Sequence, residues 1–106
     1  MKCKQWEIWD ADVKYEDAEL YKKRPVLIID AKQEIAVALK MTGQAPRTAD
    51  EYIIKEWQKS SLDKPTTIRT SKVLKIKDNV LVKKRGSILS KERVPLTALL
   101  KKMKLI

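Results

Sequence analysis

The fold is decided by the stretch Lys22-Lys23-Arg24-Pro25-Val26-Leu27-Ile28-Ile29-Asp30, which contains four consecutive large aliphatic residues. Pro25 lacks a backbone N–H, so it fits the first residue or an edge of a strand, and it biases Arg24 towards an extended conformation. The aliphatic run predicts a strand that is buried on both faces. Arg24 is then expected where the core meets solvent, and its guanidinium suits bidentate contact with phosphate.

This strand is predicted to cover residues 24–30. The pattern of apolar and polar residues on either side of it predicts a series of further short strands. Apolar residues alternate with smaller or polar ones along 35–42, which is typical of a strand with one apolar face. Further strands are predicted at residues 5–11, 52–57, 66–71, 73–76 and 80–82. The connections are predicted as loops at 12–23 and 43–51, turns at 31–34 and 77–79, and a turn or short helix at 58–62.

The C-terminal segment predicts a helix. Leu96, Leu99, Leu100 and Met103 follow helical spacing, and Pro95 is allowed at the first helical position. This stripe favours core packing over a surface for a partner. The chain is therefore predicted to be mainly β, a small antiparallel sheet bent into a compact barrel and closed by a C-terminal helix.

Composition restricts the chemistry. The chain has 106 residues, which predicts one domain spanning residues 1–106, with one cysteine and no histidine. Internal disulfides, thiolate metal clusters and histidine-based acid–base catalysis are excluded, and no metal or cofactor is expected. No apolar run approaches the ~20 residues of a membrane span, and no secretion signal is visible. The expected location is the cytoplasm, with no membrane association.

The net charge of +10 lies in one half of the chain. Residues 1–63 contain 11 Lys and Arg against 12 Asp and Glu, whereas residues 64–106 contain 13 against 2. This asymmetry favours a nucleic acid or another acidic partner. The alternative is a solvated basic surface with no specific partner.

Pairing arithmetic gives Arg24 a neighbour. If the strands on either side of residues 31–34 form a hairpin, paired positions sum to about 66. Ile29 then faces Val37, and Arg24 faces Thr42 at the open end of the hairpin. The alternative is that Arg24 and Thr42 merely cap an ordinary hairpin.

A second polar group follows from strand periodicity. Thr67, Arg69 and Ser71 are predicted to share one face of a strand. A guanidinium and hydroxyls on one face suit contacts with phosphates and 2′-hydroxyls of RNA, although a solvated strand face would have the same pattern.

Five segments of the sequence resemble the MazF/PemK family of toxin endoribonucleases, and together they extend over nearly the whole chain. They are Trp6-Glu7-Ile8-Trp9, Lys23-Arg24-Pro25-Val26-Leu27-Ile28-Ile29, Leu39-Lys40-Met41-Thr42, Lys64-Pro65-Thr66-Thr67-Ile68-Arg69 and Gly86-Ser87-Ile88-Leu89-Ser90.

The resemblance implies an SH3-like barrel of the MazF/PemK/CcdB type, a homodimer and metal-independent cleavage of single-stranded RNA. In the family, the 2′-hydroxyl attacks the adjacent phosphorus and leaves a cyclic phosphate and a 5′-hydroxyl. Arg24 matches the essential arginine of the family, and Thr42 matches the neighbouring hydroxyl residue. Arg69 and Ser71 lie where some members carry an Arg-x-Asp pair.

These matches define the expected site. Arg24 is expected to stabilise the phosphorane and Thr42 to orient the phosphate or the 2′-hydroxyl. Substrate-binding residues are expected at Lys23, Lys40, Thr67, Arg69 and Ser71.

The proton acceptor is not identified by this pattern. Ser71 replaces the carboxylate that some members use as a base, and an alcohol is a poor base at neutral pH. Glu16, Asp17 and Glu19 in the loop at 12–23 are the candidates.

Two other functions are compatible with the same residues. One is a non-catalytic barrel that binds RNA or DNA, and the other is a CcdB-like toxin that targets gyrase. An acidic antitoxin segment that covers the Arg24 groove is the expected regulator.

Overall fold

The computed structural model describes residues 1–14 and 21–106. One sheet of six antiparallel strands has the order β4-β5-β3-β2-β1-β6. The strands are β1 Glu7–Lys14, β2 Tyr21–Ala31, β3 Ala36–Thr42, β4 Tyr52–Ile53, β5 Thr67–Ile76 and β6 Leu81–Ser87. Short 3₁₀ turns lie at Trp57–Ser60 and Asp78–Val80, and the chain ends in α1, Ser90–Lys102. The predicted mainly β architecture with a C-terminal helix is confirmed.

Strand β2 is buried on both faces, as its aliphatic run predicts. Leu27 and Ile29 belong to one apolar cluster, whereas Val26 and Ile28 belong to another. All four side chains are fully buried. The first cluster also contains Leu96 and Leu100 of α1, among others, so the helix packs against the core through the predicted stripe.

The predicted hairpin register is correct over part of its length. Val26 pairs with Lys40 and Ile28 with Ala38, both at the predicted sum. Beyond them Asp30 pairs with Val37, so the predicted pairing of Ile29 with Val37 is wrong. The cause is a bulge that places one extra residue, Ile29, in β2 and shifts the register by one position.

The segment predicted as a loop at 12–23 is strand at both of its ends, residues 12–14 and 21–23. Strand β1 continues to Lys14, and Asp12 pairs with Lys23 in β2. The two strands therefore form a long ribbon, and Glu16, Asp17 and Glu19 lie outside the described residues. At its other end β1 begins at Glu7 because Trp6 has a positive φ of 73°, which interrupts an extended strand.

Strand β4 is shorter than the predicted strand at 52–57. It contains only Tyr52 and Ile53, and the backbone leaves the β5 register within two further residues. Ile54 donates to the carbonyl of Thr66, and Lys55 donates to the Glu92 carboxylate. Strand β5, in contrast, is longer than predicted, because the two predicted strands at 66–71 and 73–76 form one continuous strand.

The C-terminal helix begins at Ser90, so the prediction that Pro95 occupies its first position is wrong. Its first turn is held by Glu92, whose buried carboxylate accepts hydrogen bonds from Tyr52 Oη at 3.1 Å and Lys55 N at 2.7 Å. Burial, followed by the neighbouring carboxylate, raises the pKa of Tyr52 to about 12. No helix in the described ranges is long and apolar enough to cross a membrane.

Candidate active site

An open cleft of about 260 Å³ lies beside residues 23–25 of β2 and the end of β3, where the ladder between these two strands stops. Its floor includes the apolar side chains of Met41 and Leu62. The charged residues that line it are Asp10, Lys23, Arg24, Asp63, Lys64 and Arg85. Cations outnumber carboxylates in this set by four to two, so the cleft is suited to an anionic ligand.

The hairpin register brings Arg24 and Thr42 to this cleft. The β2–β3 ladder ends at the pair Val26 and Lys40, and the same register continued by two positions places Arg24 opposite Thr42. Both residues line the cleft. Arg24 is exposed and Thr42 is half-buried, so a ligand can reach both side chains.

The side chain of Lys64 packs against Gly43, the residue that follows Thr42 in the sequence. A methyl group added at Gly43 would lie 2.6 Å from Lys64 Cε and 2.8 Å from its Nζ. The absence of a side chain at Gly43 leaves room for the Lys64 side chain, whose ammonium group lies next to Gly43.

Arg85 joins two carboxylates in the same cleft. Its Nη1 lies 3.4 Å from Asp10 Oδ1, and its Nη2 lies 3.1 Å from Asp63 Oδ2. Burial disfavours the charged form of Arg85, but Asp10 and then Asp63 more than offset this and raise its pKa. The guanidinium is therefore a permanent cation inside the cleft.

The other predicted substrate-binding residues lie outside the cleft. Lys40 and Ser71 line a separate shallow depression beside a bulge in β5. Arg69 pairs with Glu51, its Nε lying 3.4 Å from Oε2. Arg69 and Ser71 are more exposed than Ile68 and Thr70, as strand alternation predicts. Thr67, in contrast, is only 1% exposed and pairs with Thr42. Of the predicted set, the cleft brings together Lys23, Arg24 and Thr42.

Four charged residues of the cleft were not predicted as site residues from the sequence. They are Asp10, Asp63, Lys64 and Arg85, which come from three separate parts of the sequence. Their only signal in the sequence is position, because each lies within one of the family-like segments or directly beside one. Among residues 1–14 and 21–106, no group of three or more His, Cys, Asp and Glu side chains could hold a metal ion.

Solved structures with the same fold are toxins and endoribonucleases. "Mycobacterium tuberculosis toxin MazF-mt6" is 18% identical, with a TM-score of 0.73 over 91% of this chain and 93% of that chain. An endoribonuclease in complex with its cognate antitoxin, from a mycobacterial species, is 13% identical, with a TM-score of 0.76 over 98% and 97%. A further mycobacterial endoribonuclease is 11% identical, with a TM-score of 0.74 over 98% and 93%. No curated protein sequence matches this chain significantly.

The fold and the cleft define a small antiparallel β protein whose barrel-like sheet carries a cationic cleft at one end. A family model described as the PemK-like, MazF-like toxin of type II toxin–antitoxin systems matches residues 4–103. The chain therefore belongs to this toxin family, and the predicted MazF/PemK fold class is confirmed.

Proposed function

We propose that this toxin is an endoribonuclease that cleaves single-stranded RNA and that residues 1–106 act as one toxin domain. The observation that carries the proposal is the meeting of Arg24 and Thr42 in one cationic cleft. The family match and the structural neighbours described as endoribonucleases support it. Arginine binds phosphate in two-pronged geometry, which suits it to an RNA backbone.

Cleavage is proposed to use the RNA's own nucleophile. The ribose 2′-hydroxyl attacks the adjacent phosphorus, and the bond from phosphorus to the 5′-oxygen breaks. One proton leaves the 2′-hydroxyl and one is gained by the 5′-oxygen, so the products are a cyclic phosphate and a 5′-hydroxyl end. Arg24 stabilises the negative charge of the phosphorane, and Thr42 orients the phosphate or the 2′-hydroxyl.

The predicted binding residues divide between two roles in this proposal. Lys23 lies in the cleft beside Arg24 and binds the scissile region. Lys40, Arg69 and Ser71 lie around the neighbouring part of β3 and β5 and bind nucleotides further along the strand. Thr67 is buried and pairs with Thr42, so its contribution is to hold Thr42 in position.

End-mapping of RNA fragments tests the reaction. Purified toxin incubated with a long unstructured RNA in EDTA is expected to produce fragments with 2′,3′-cyclic phosphate and 5′-hydroxyl ends. Salt-sensitive binding with intact RNA would indicate a nucleic-acid-binding protein instead. Binding to gyrase without RNA cleavage would indicate a CcdB-like toxin.

An acidic antitoxin is the proposed partner, because the cleft is cationic and one structural neighbour was solved with its cognate antitoxin. Its acidic segment is proposed to cover the groove that contains Arg24. The antitoxin, identified as a small acidic protein encoded next to the toxin, is expected to bind the Arg24→Glu, Arg69→Glu variant far more weakly than the wild type. Equal binding would place the antitoxin elsewhere. The predicted homodimer stays a prediction.

A further inference from the structure

Arg85 is held by two carboxylates whose exposure differs greatly. The Asp10 side chain is 10% exposed, whereas the Asp63 side chain is 86% exposed. The Arg85 side chain itself is 22% exposed, so part of the guanidinium faces the open cleft. One partner therefore belongs to the protein interior and the other to the surface.

The backbone fixes Arg85 in place. A methyl group added at the next residue, Gly86, would lie 2.7 Å from the carbonyl oxygen of Ser60, so the two backbone segments touch. Arg85 also donates hydrogen bonds from Nε and Nη2 to the carbonyl of Ser61, each at 3.4 Å. The guanidinium is thus preorganised before any ligand binds.

The two carboxylates are not equally replaceable. If Arg85 and Asp10 separated, the largely buried Asp10 carboxylate would be left without its partner, which is strongly unfavourable. An exposed pair such as Arg85 with Asp63 contributes only ~0–1 kcal/mol, because water solvates both groups when they separate. An incoming anion can therefore displace Asp63 while Asp10 stays in contact with Arg85.

We propose that Arg85 is a second phosphate-binding residue. In the free toxin, Asp63 occupies the phosphate position beside Arg85, and the RNA phosphate next to the scissile one displaces Asp63. This inference rests on the proposed function, because it concerns the same substrate in the same cleft. A phosphate offers the same kind of charged oxygen acceptors as a carboxylate and matches the arginine fork. Asp63 thus acts as an internal competitor that weakens RNA binding by the free toxin.

The test measures binding without cleavage. The probe is a labelled single-stranded RNA with 2′-O-methyl groups on every ribose, which lacks the nucleophile and stays intact. At ~0.1 M salt, Asp63→Asn is expected to lower the Kd by about two- to fivefold, since the exposed competitor is removed. The gain should disappear in an Asp10→Asn, Arg85→Gln background, which removes the guanidinium without leaving a buried charge unpaired.

Asp30→Asn is the matched control. It removes the same charge at the far end of β2, about 20 Å along the strand from Arg24, where Asp30 pairs with the exposed Lys32. Screening over ~10 Å at this salt concentration should keep its effect below about twofold. Circular dichroism of each variant verifies that the fold is retained.

Three results would overturn the inference: an equal gain from Asp63→Asn in both backgrounds, a gain no larger than that of Asp30→Asn, or no binding of the probe by the wild type. Its failure is separable from that of the proposed function, which is judged by cleavage of unmodified RNA.

Discussion

Replacing Arg24 with alanine is expected to lower the rate of RNA cleavage by about 10²–10³-fold, the usual loss when a donor that stabilises a developing oxyanion is removed. Arg24 is exposed at the mouth of the cleft and is outside the apolar clusters, so the fold should survive the change. The measurement is single-turnover cleavage of a labelled RNA at saturating enzyme, which separates the chemical step from binding.

Two variants sharpen this test. Lys22→Ala removes one positive charge from the same strand but from a residue outside the cleft lining, and it should change the rate by less than about threefold, the size expected of a screened surface charge. Arg24→Lys keeps the positive charge but loses the bidentate geometry of the guanidinium, so it should recover only a small part of the wild-type cleavage rate. Cleavage by Arg24→Ala at the rate of the Lys22→Ala variant would show that Arg24 is not catalytic.

Glu92→Ala is expected to lower the free energy of unfolding by about 3–5 kcal/mol, a large share of the ~5–15 kcal/mol typical of a domain. The Glu92 side chain is almost fully buried and accepts hydrogen bonds from Tyr52 and Lys55. Its removal leaves these donors without their acceptor and detaches the first turn of α1 from the segment after β4. Urea denaturation of both proteins provides the measurement.

The matched control is Glu34→Ala, the same substitution at an exposed glutamate in the turn before β3. It should change the unfolding free energy by no more than ~0.5 kcal/mol. Glu92→Gln keeps the shape and one acceptor oxygen, so it should fall between the two. A loss below about 1 kcal/mol for Glu92→Ala would mean that water replaces the carboxylate at this position.

The strand pattern of the sequence predicts most of the sheet, because burial on one or two faces follows from residue periodicity. It fails where the backbone departs from that periodicity without a glycine or proline to indicate it. The extra residue in β2 at Ile29 and the register shift between β3 and β5 at Leu39 and Lys40 are both of this kind. The start of α1 was missed for another reason: Pro95 suits a first turn, yet the turn anchored by Glu92 precedes it.

The candidate site was predictable only where it is local. Arg24 and Thr42 belong to adjacent strands joined by a short turn, so simple pairing places them together. Arg85 and Asp63 reach the cleft from segments distant in sequence, and their approach depends on the close contact between Gly86 and Ser60. Such a contact depends on how the sheet curls, which residue periodicity does not specify.

The order of the strands has a consequence for the newly made chain. Strand β6, made last of the six, pairs with β1, made first, and it brings Arg85 to Asp10. Until β6 has been made, the cleft around Arg24 lacks the part that Arg85 contributes. The working surface of the toxin is therefore complete only after β6 has been made and has paired with β1.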